Sequence, residues 1–102
     1  MTTTPLILGH RGAMAYAPEN TLEAFKLCAD QGADGMEIDI HTTRDGVIVA
    51  IHDDTVDRTS NGTGRVCDLD FAELRQLDFG SGLPGDFAGA HIPTLEEILD
   101  LV

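Results

Sequence analysis

Short apolar runs alternate with polar, glycine-punctuated stretches along this chain, and the period of each run predicts its element. Leu6-Ile7-Leu8 is a compact apolar run ending at Gly9-His10-Arg11-Gly12, which predicts a buried strand feeding a loop over Ala13 to Pro18. Asn20 followed by Glu23 reads as the N-terminus of a helix, with Leu22, Phe25 and Ala29 on one face and Gly32 as its stop. A second strand is expected over Gly35 to Ile40, which makes a right-handed βαβ unit of the first three elements. A third strand runs from Val47 to Asp53. Beyond it the chain turns polar through Ser60-Asn61-Gly62-Thr63-Gly64, a clear loop. Asp70, with Glu73 three residues on, caps a short helix through Leu77. Phe79 to Ile92 lacks a period and reads as irregular, and Thr94 with Glu97 caps a last helix bearing Leu95, Ile98, Leu99 and Val102.

Asp45-Gly46 is a preferred pair for a two-residue type I′ turn, so the second and third strands are expected to form a hairpin. That turn opposes Arg44 to Val47, Asp39 to His52 and Glu37 to Asp54. Side chains alternate along a strand, so Glu37, Asp39, His52 and Asp54 then share one face, while Ile38, Ile40, Val49 and Ile51 take the other.

Composition changes the picture mainly through charge. The 102 residues hold 18 acids against 6 lysines and arginines, a formal −12. Such a field disfavours nucleic acid and anionic lipid surfaces and favours divalent cations. Cys28 and Cys67 lack metal-ligand spacing, and a bridge between them is not expected. The start, Met1-Thr2-Thr3-Thr4-Pro5, has neither a basic region nor a long apolar run. This predicts no secretory leader, no membrane insertion and a cytoplasmic location. The final helix still shows its apolar stripe at the last residue without a C-cap, which predicts a truncated chain.

Three groups could carry chemistry. His10-Arg11-Gly12 combines a group that titrates near neutrality, a rigid fork for phosphate or carboxylate oxygens and a residue that lets a ligand approach the backbone. Taken alone it reads more readily as a strand-end loop with a surface arginine and a satisfied histidine. Glu37-x-Asp39 projects two carboxylates to one side, suited to a hard cation or to a solvent-facing edge. His52 ends an apolar strand and gains weight from the register that opposes it to Asp39. His41 and His91 are expected to be structural. Asp53, Asp57 and Arg58 are expected to order the following loop, with Asp54 within reach of a cation.

In order and spacing, His10-Arg11-Gly12, Pro18-Glu19-Asn20-Thr21, Glu37-x-Asp39, Thr43-x-Asp45-Gly46, His52-Asp53 with Arg58-Thr59, and Ile92-Pro93-Thr94-Leu95-Glu96-Glu97 resemble the glycerophosphodiester phosphodiesterase family. The resemblance implies an α/β fold, a TIM (β/α)8 barrel of the phospholipase C-like type. This chain would supply its N-terminal portion over 1–102, with a small insertion at about 54–92. A full barrel takes about 250 residues, and an open part of one is expected to self-associate. The resemblance further implies hydrolysis of small-molecule glycerophosphodiesters to glycerol 3-phosphate and an alcohol. His10 and His52 would be the acid/base pair, Arg11 the phosphate ligand, and Glu37 and Asp39 the holders of Ca²⁺ or Mg²⁺. Two alternatives are an inactive cation- or phosphate-binding fragment and a phospholipase D-like enzyme of the same superfamily. The short link from His41 to Gly46 cannot hold a helical crossover, which takes roughly a dozen residues, so a local antiparallel hairpin is favoured there.

Overall fold

The computed structural model describes residues 8–12, 17–80 and 87–101. The expectations at Leu6, Ile7 and Val102, in the loop over 13–16 and in the centre of the 79–92 segment lie outside the described residues.

Strand β1 (Leu8–His10) passes through the loop into helix α1 (Leu22–Asp30) and returns as strand β2 (Gly35–Glu37). β2 runs parallel to β1, with Leu8 opposite Gly35 and His10 opposite Glu37. The expected βαβ unit is therefore present. α1 buries Ala24, Phe25 and Cys28, whereas Leu22 is half-buried and Ala29 exposed, so its apolar stripe is rotated from the expected one. Its N-cap is Thr21 rather than Asn20. The Thr21 hydroxyl accepts from Ala24 N at 3.2 Å and donates to Pro18 O at 2.7 Å. Both residue types favour this position; the one that sits there extended is Thr21 (φ −106), while Asn20 takes a left-handed conformation (φ 55).

The strand expected over Gly35 to Ile40 divides at Ile38-Asp39. Strand β3 (Ile40–Thr42) belongs to a different pair, antiparallel to strand β4 (Ile48–Ala50), with Ile40 opposite Ala50, His41 opposite Val49 and Thr42 opposite Ile48. The hairpin is real, but its register is one residue from the expected one. Thr43 N donates to Val47 O at 2.9 Å and Gly46 N to Thr43 O at 3.0 Å, which makes a three-residue loop. Gly46 ends it in the left-handed region (φ 87), as in a type I turn followed by a bulge. The loop is held by side chains: Thr43 Oγ1 accepts from Val47 N at 2.9 Å, and Asp45 Oδ1 accepts from the Thr43 hydroxyl and from Phe71 N.

The shift has two consequences. Asp39 faces Ile51, whose N–H donates to Asp39 O at 3.0 Å, and not His52. Glu37 lies in the parallel pair and has no hairpin partner, so Asp54 does not oppose it. Ile40 and Ile48 are exposed, at 50% and 41%, against the expectation that Ile40 joins the apolar face. Both Val49 and Ala50 are buried, so β4 is covered on each side and its burial does not alternate.

Val49 and Ile51 pack with Val56, Val66, Leu74, Phe79 and Ile92, while Ala50 packs with Phe25 and Ile98. The first cluster forms the core under the polar segment, which carries a 3-10 turn (Val66–Asp68) and helix α2 (Phe71–Arg75). Asp70 and Glu73 form the expected capping box, though α2 ends before Leu77. Helix α3 (Leu95–Leu101) begins at a second capping box. There Thr94 Oγ1 accepts from Glu97 N at 3.0 Å and Glu97 Oε1 accepts from Thr94 N at 2.9 Å. Arg75 bonds Glu97 and lies 4.6 Å over the Phe71 ring, tying α2 to α3. An apolar groove of about 380 Å³ lies between α1, β2 and α3, lined by Ala29, Met36, Ile38 and Leu99 among others. Cys28 is buried and Cys67 exposed, and both are free thiols. Among the described residues no helix is long and apolar enough to cross a membrane.

Candidate active site at the ends of β1, β2 and β4

The residues singled out in the sequence gather where these strands end. His10 closes β1, and its Nε2 lies 3.7 Å from Glu37 Oε2 across the parallel pair. Arg11 follows in the left-handed region (φ 54), a conformation that costs a non-glycine residue about 1–2 kcal/mol. Its backbone offsets the cost: Arg11 N donates to Glu37 O and to Glu37 Oε2, both at 3.1 Å, and Arg11 O accepts from Asn20 N at 2.9 Å. Gly12 (φ 75) lets this turn lie against α1. A Cβ there would meet the Ala24 carbonyl carbon at 2.7 Å.

Asp39 sits in the bend between β2 and β3. Asn20 clasps it, donating from Nδ2 to Oδ2 at 3.1 Å and accepting the Asp39 N–H at 3.4 Å. Burial pushes the Asp39 carboxyl up, but the Asn20 bond, a hydrogen bond with Glu37 and the nearby His52 and Arg11 charges outweigh it. The net effect holds Asp39 below the usual carboxylate range. Arg11 Nε is 3.4 Å from Asp39 Oδ2. That is an ion pair without hydrogen-bond geometry, and it leaves this buried Nε–H without an acceptor.

An ion-pair network that the sequence reading did not assemble backs the site. Arg11 Nη1 donates to Glu19 Oε2 at 3.0 Å, and Arg58 donates to both Glu19 oxygens, at 2.7 and 2.9 Å. Arg58 also grips Asp53, Nε to Oδ2 at 2.9 Å and Nη2 to Oδ1 at 3.1 Å. Asp53 Oδ1 in turn accepts from His52 Nδ1 at 2.9 Å. The bonds from Arg58 and His52 hold the Asp53 carboxyl far below its ordinary value. Asp53 is thus ionised and the proton in this contact lies on Nδ1, which leaves Nε2 as the ring nitrogen turned away from Asp53. Glu19 is raised by burial, yet the two arginines bring it below its usual value. Glu19 could have been found from its place in Pro18-Glu19-Asn20-Thr21; next to two cap-forming residues it passes for a helix-start acid.

The remaining candidates have structural places. His41 Nε2 donates to His52 O at 3.1 Å, which supports the strand end. Asp57 accepts from Gly64 N at 3.0 Å and so orders the polar loop, as expected. Asp54 is exposed, and its carbonyl accepts from Val66 N at 2.9 Å, so its backbone belongs to the polar lobe. His91 is exposed in the segment before α3. Among the described residues, no three histidine, cysteine or acidic side chains are grouped to hold a metal ion. Glu37 and Asp39 are the two carboxylates that the sequence offers to a hard cation.

Residues 10–102 match the glycerophosphoryl diester phosphodiesterase family. The chain is 48% identical over 97 residues to a glycerophosphodiester phosphodiesterase of Caldanaerobacter subterraneus, covering 95% of this chain and 40% of that protein. It is 50% identical over 92 residues to human glycerophosphodiester phosphodiesterase 1, covering 88% of this chain and 28% of the human one. Among solved structures it is similar to an Oleispira antarctica phosphodiesterase in complex with the product sn-glycerol-3-phosphate. The TM-score there is 0.91 at 40% identity, over 95% of this chain and 39% of that one. A glycerophosphodiester phosphodiesterase from Agrobacterium tumefaciens gives a TM-score of 0.89 at 44% identity, over 95% of this chain and 42% of that one. The chain thus spans about 40% of the length of the first of these relatives, and with a match running from His10 to its last residue it belongs to the glycerophosphoryl diester phosphodiesterase family.

Proposed function

We propose that this chain carries the N-terminal catalytic part of an enzyme that hydrolyses glycerophosphodiesters to glycerol 3-phosphate and an alcohol. In this reading 1–102 is the first portion of one (β/α)8 barrel domain, and the polar lobe at about 54–92 is an insertion beside its mouth. The observation that carries the reading is that His10 meets Glu37, Arg11 meets Asp39 and Asp53 orients His52 where neighbouring strands end.

The donor chemistry fits a hard divalent cation, Ca²⁺ or Mg²⁺. Glu37 and Asp39 would supply two oxygen donors, and such ions complete their shells with water and substrate oxygens. When bound, the ion would offset charge building on the non-bridging oxygens of the phosphodiester. Arg11 would bind one of those oxygens from the left-handed turn that Glu37 and Asn20 hold. His52, with Nδ1–H spent on Asp53, would take a proton at Nε2 from the water that attacks phosphorus. His10, beside Glu37, would donate one to the alcohol oxygen as its bond to phosphorus breaks.

The test is turnover of glycerophosphocholine with added Ca²⁺ or Mg²⁺, followed by release of choline and glycerol 3-phosphate. Activity lost in His10→Ala and His52→Ala supports the reading. A folded chain that binds sn-glycerol 3-phosphate with no turnover instead favours a non-catalytic phosphate- and cation-binding role.

A further inference from the structure

We propose that Arg58 is a positioning residue of this site: by gripping Asp53 and Glu19 together it fixes the tautomer and direction of His52 and ties them to the anchoring of Arg11. The assignment of His52 as a base rests on the reading above; the geometric claim does not.

Arg58 lies in the polar segment after β4, and its guanidinium makes four hydrogen bonds to two carboxylates, each at 3.1 Å or less. Two go to Asp53, whose Oδ1 takes the His52 Nδ1 proton, and two to Glu19, which also takes Arg11 Nη1. Without Arg58 each carboxylate would change. Asp53 directly follows His52, and its side-chain torsions are free unless a second group fixes the carboxylate plane; the Nε–Oδ2 and Nη2–Oδ1 pair does this side-on. Glu19 is nearly buried, with its side chain 11% exposed, and would turn its second oxygen to Arg11 as the remaining cation. A lysine cannot replace this fork, because a point ammonium satisfies one carboxylate plane at a time. A surface arginine with a comparable bidentate grip exists elsewhere: Arg44 binds Asp70 at 2.9 Å twice, outside the site. It provides the control.

The experiment is ¹⁵N–¹H correlation of histidine side chains in the full chain at about pH 8, where free imidazoles are neutral. His52 is assigned by its loss in His52→Gln. In the wild type, His52 should show one tautomer, with Nδ1 protonated and Nε2 bare, and Arg44→Gln should leave it unchanged. In Arg58→Gln and Arg58→Lys the pattern should shift toward the Nε2–H form, the commoner tautomer of free histidine, with circular dichroism showing that each remains folded. A folded variant of either kind that keeps the wild-type His52 pattern overturns the proposal. So does a wild type that already shows mixed tautomers. Because the readout needs no substrate, a wild type with the fixed tautomer and no turnover leaves this proposal standing and removes only the hydrolase reading.

Discussion

Replacing Glu19 by glutamine should destabilise the chain more than any other loss of a single surface-near charge, although Glu19 is not in the core. Its carboxylate sits between two guanidiniums, with Arg11 15% and Glu19 11% exposed as side chains. The amide keeps the shape and removes the charge, so Arg11 is left with Asp39 and Arg58 with Asp53, and the two guanidiniums face each other without the carboxylate between them. Removing one partner of a fully buried ion pair costs about 3–5 kcal/mol. Arg58 is 49% exposed, and water screens its half of the cluster, so about 2 kcal/mol is the appropriate figure here. For a domain of this size that corresponds to roughly 10 °C in Tm. Urea unfolding followed by circular dichroism measures it, with Glu23→Gln, an exposed acid in the first turn of α1, as the control. The Glu19 carboxyl lies below its ordinary value, so its stabilisation is complete above the unfolded-state value and fades as pH falls through the folded-state one. The difference between wild type and Glu19→Gln should therefore shrink in acid. Equal urea midpoints at neutral pH, or a gap that stays constant into acid, would refute the reasoning.

Asp53 obeys the same linkage. Its carboxyl is depressed chiefly by Arg58, so the wild type should lose stability from about pH 5 downward, and Asp53→Asn should flatten that acid limb in pH-dependent melts. Gly12→Ala should cost more than helix propensity alone would suggest, because the new methyl meets the Ala24 backbone at a left-handed φ; thermal unfolding reads the loss. Leu74→Ala, at a fully buried position under the polar lobe, should cost about 2–5 kcal/mol in urea titrations. Thr94→Ala removes the acceptor for Glu97 N and should cost about 1 kcal/mol by the same measurement.

The parts of the fold written in local signals were legible from the sequence. The βαβ order, the capping boxes at Asp70 and Thr94, and the existence of a hairpin at Asp45-Gly46 all follow from residues close in sequence. The hairpin register did not, because Asp-Gly serves both two- and three-residue loops. Here the longer loop is chosen by contacts from elsewhere: Phe71 N on Asp45 and Leu69 O accepting from Arg44 N. The one-residue difference removed the cross-strand pairing of Asp39 with His52. Asp39 sits instead at the bend at Ile38-Asp39, where Asn20 holds it. Asn20 escaped the reading for a related reason: Asn20 and Thr21 both suit an N-cap, and only the tertiary partner Asp39 decides between them. The Glu19-Arg58-Asp53 network joins residues up to 39 apart, beyond the reach of any periodicity argument.

The central claim is that Glu37 and Asp39 face each other in order to share a divalent cation beside His10. Calorimetric titration of the chain with Ca²⁺ and Mg²⁺ tests it directly, against Glu37→Gln and Asp39→Asn. The account predicts one saturable site in the wild type, weakened at least tenfold in either variant. Binding of equal strength in all three proteins, or no saturable binding in the wild type, would contradict it.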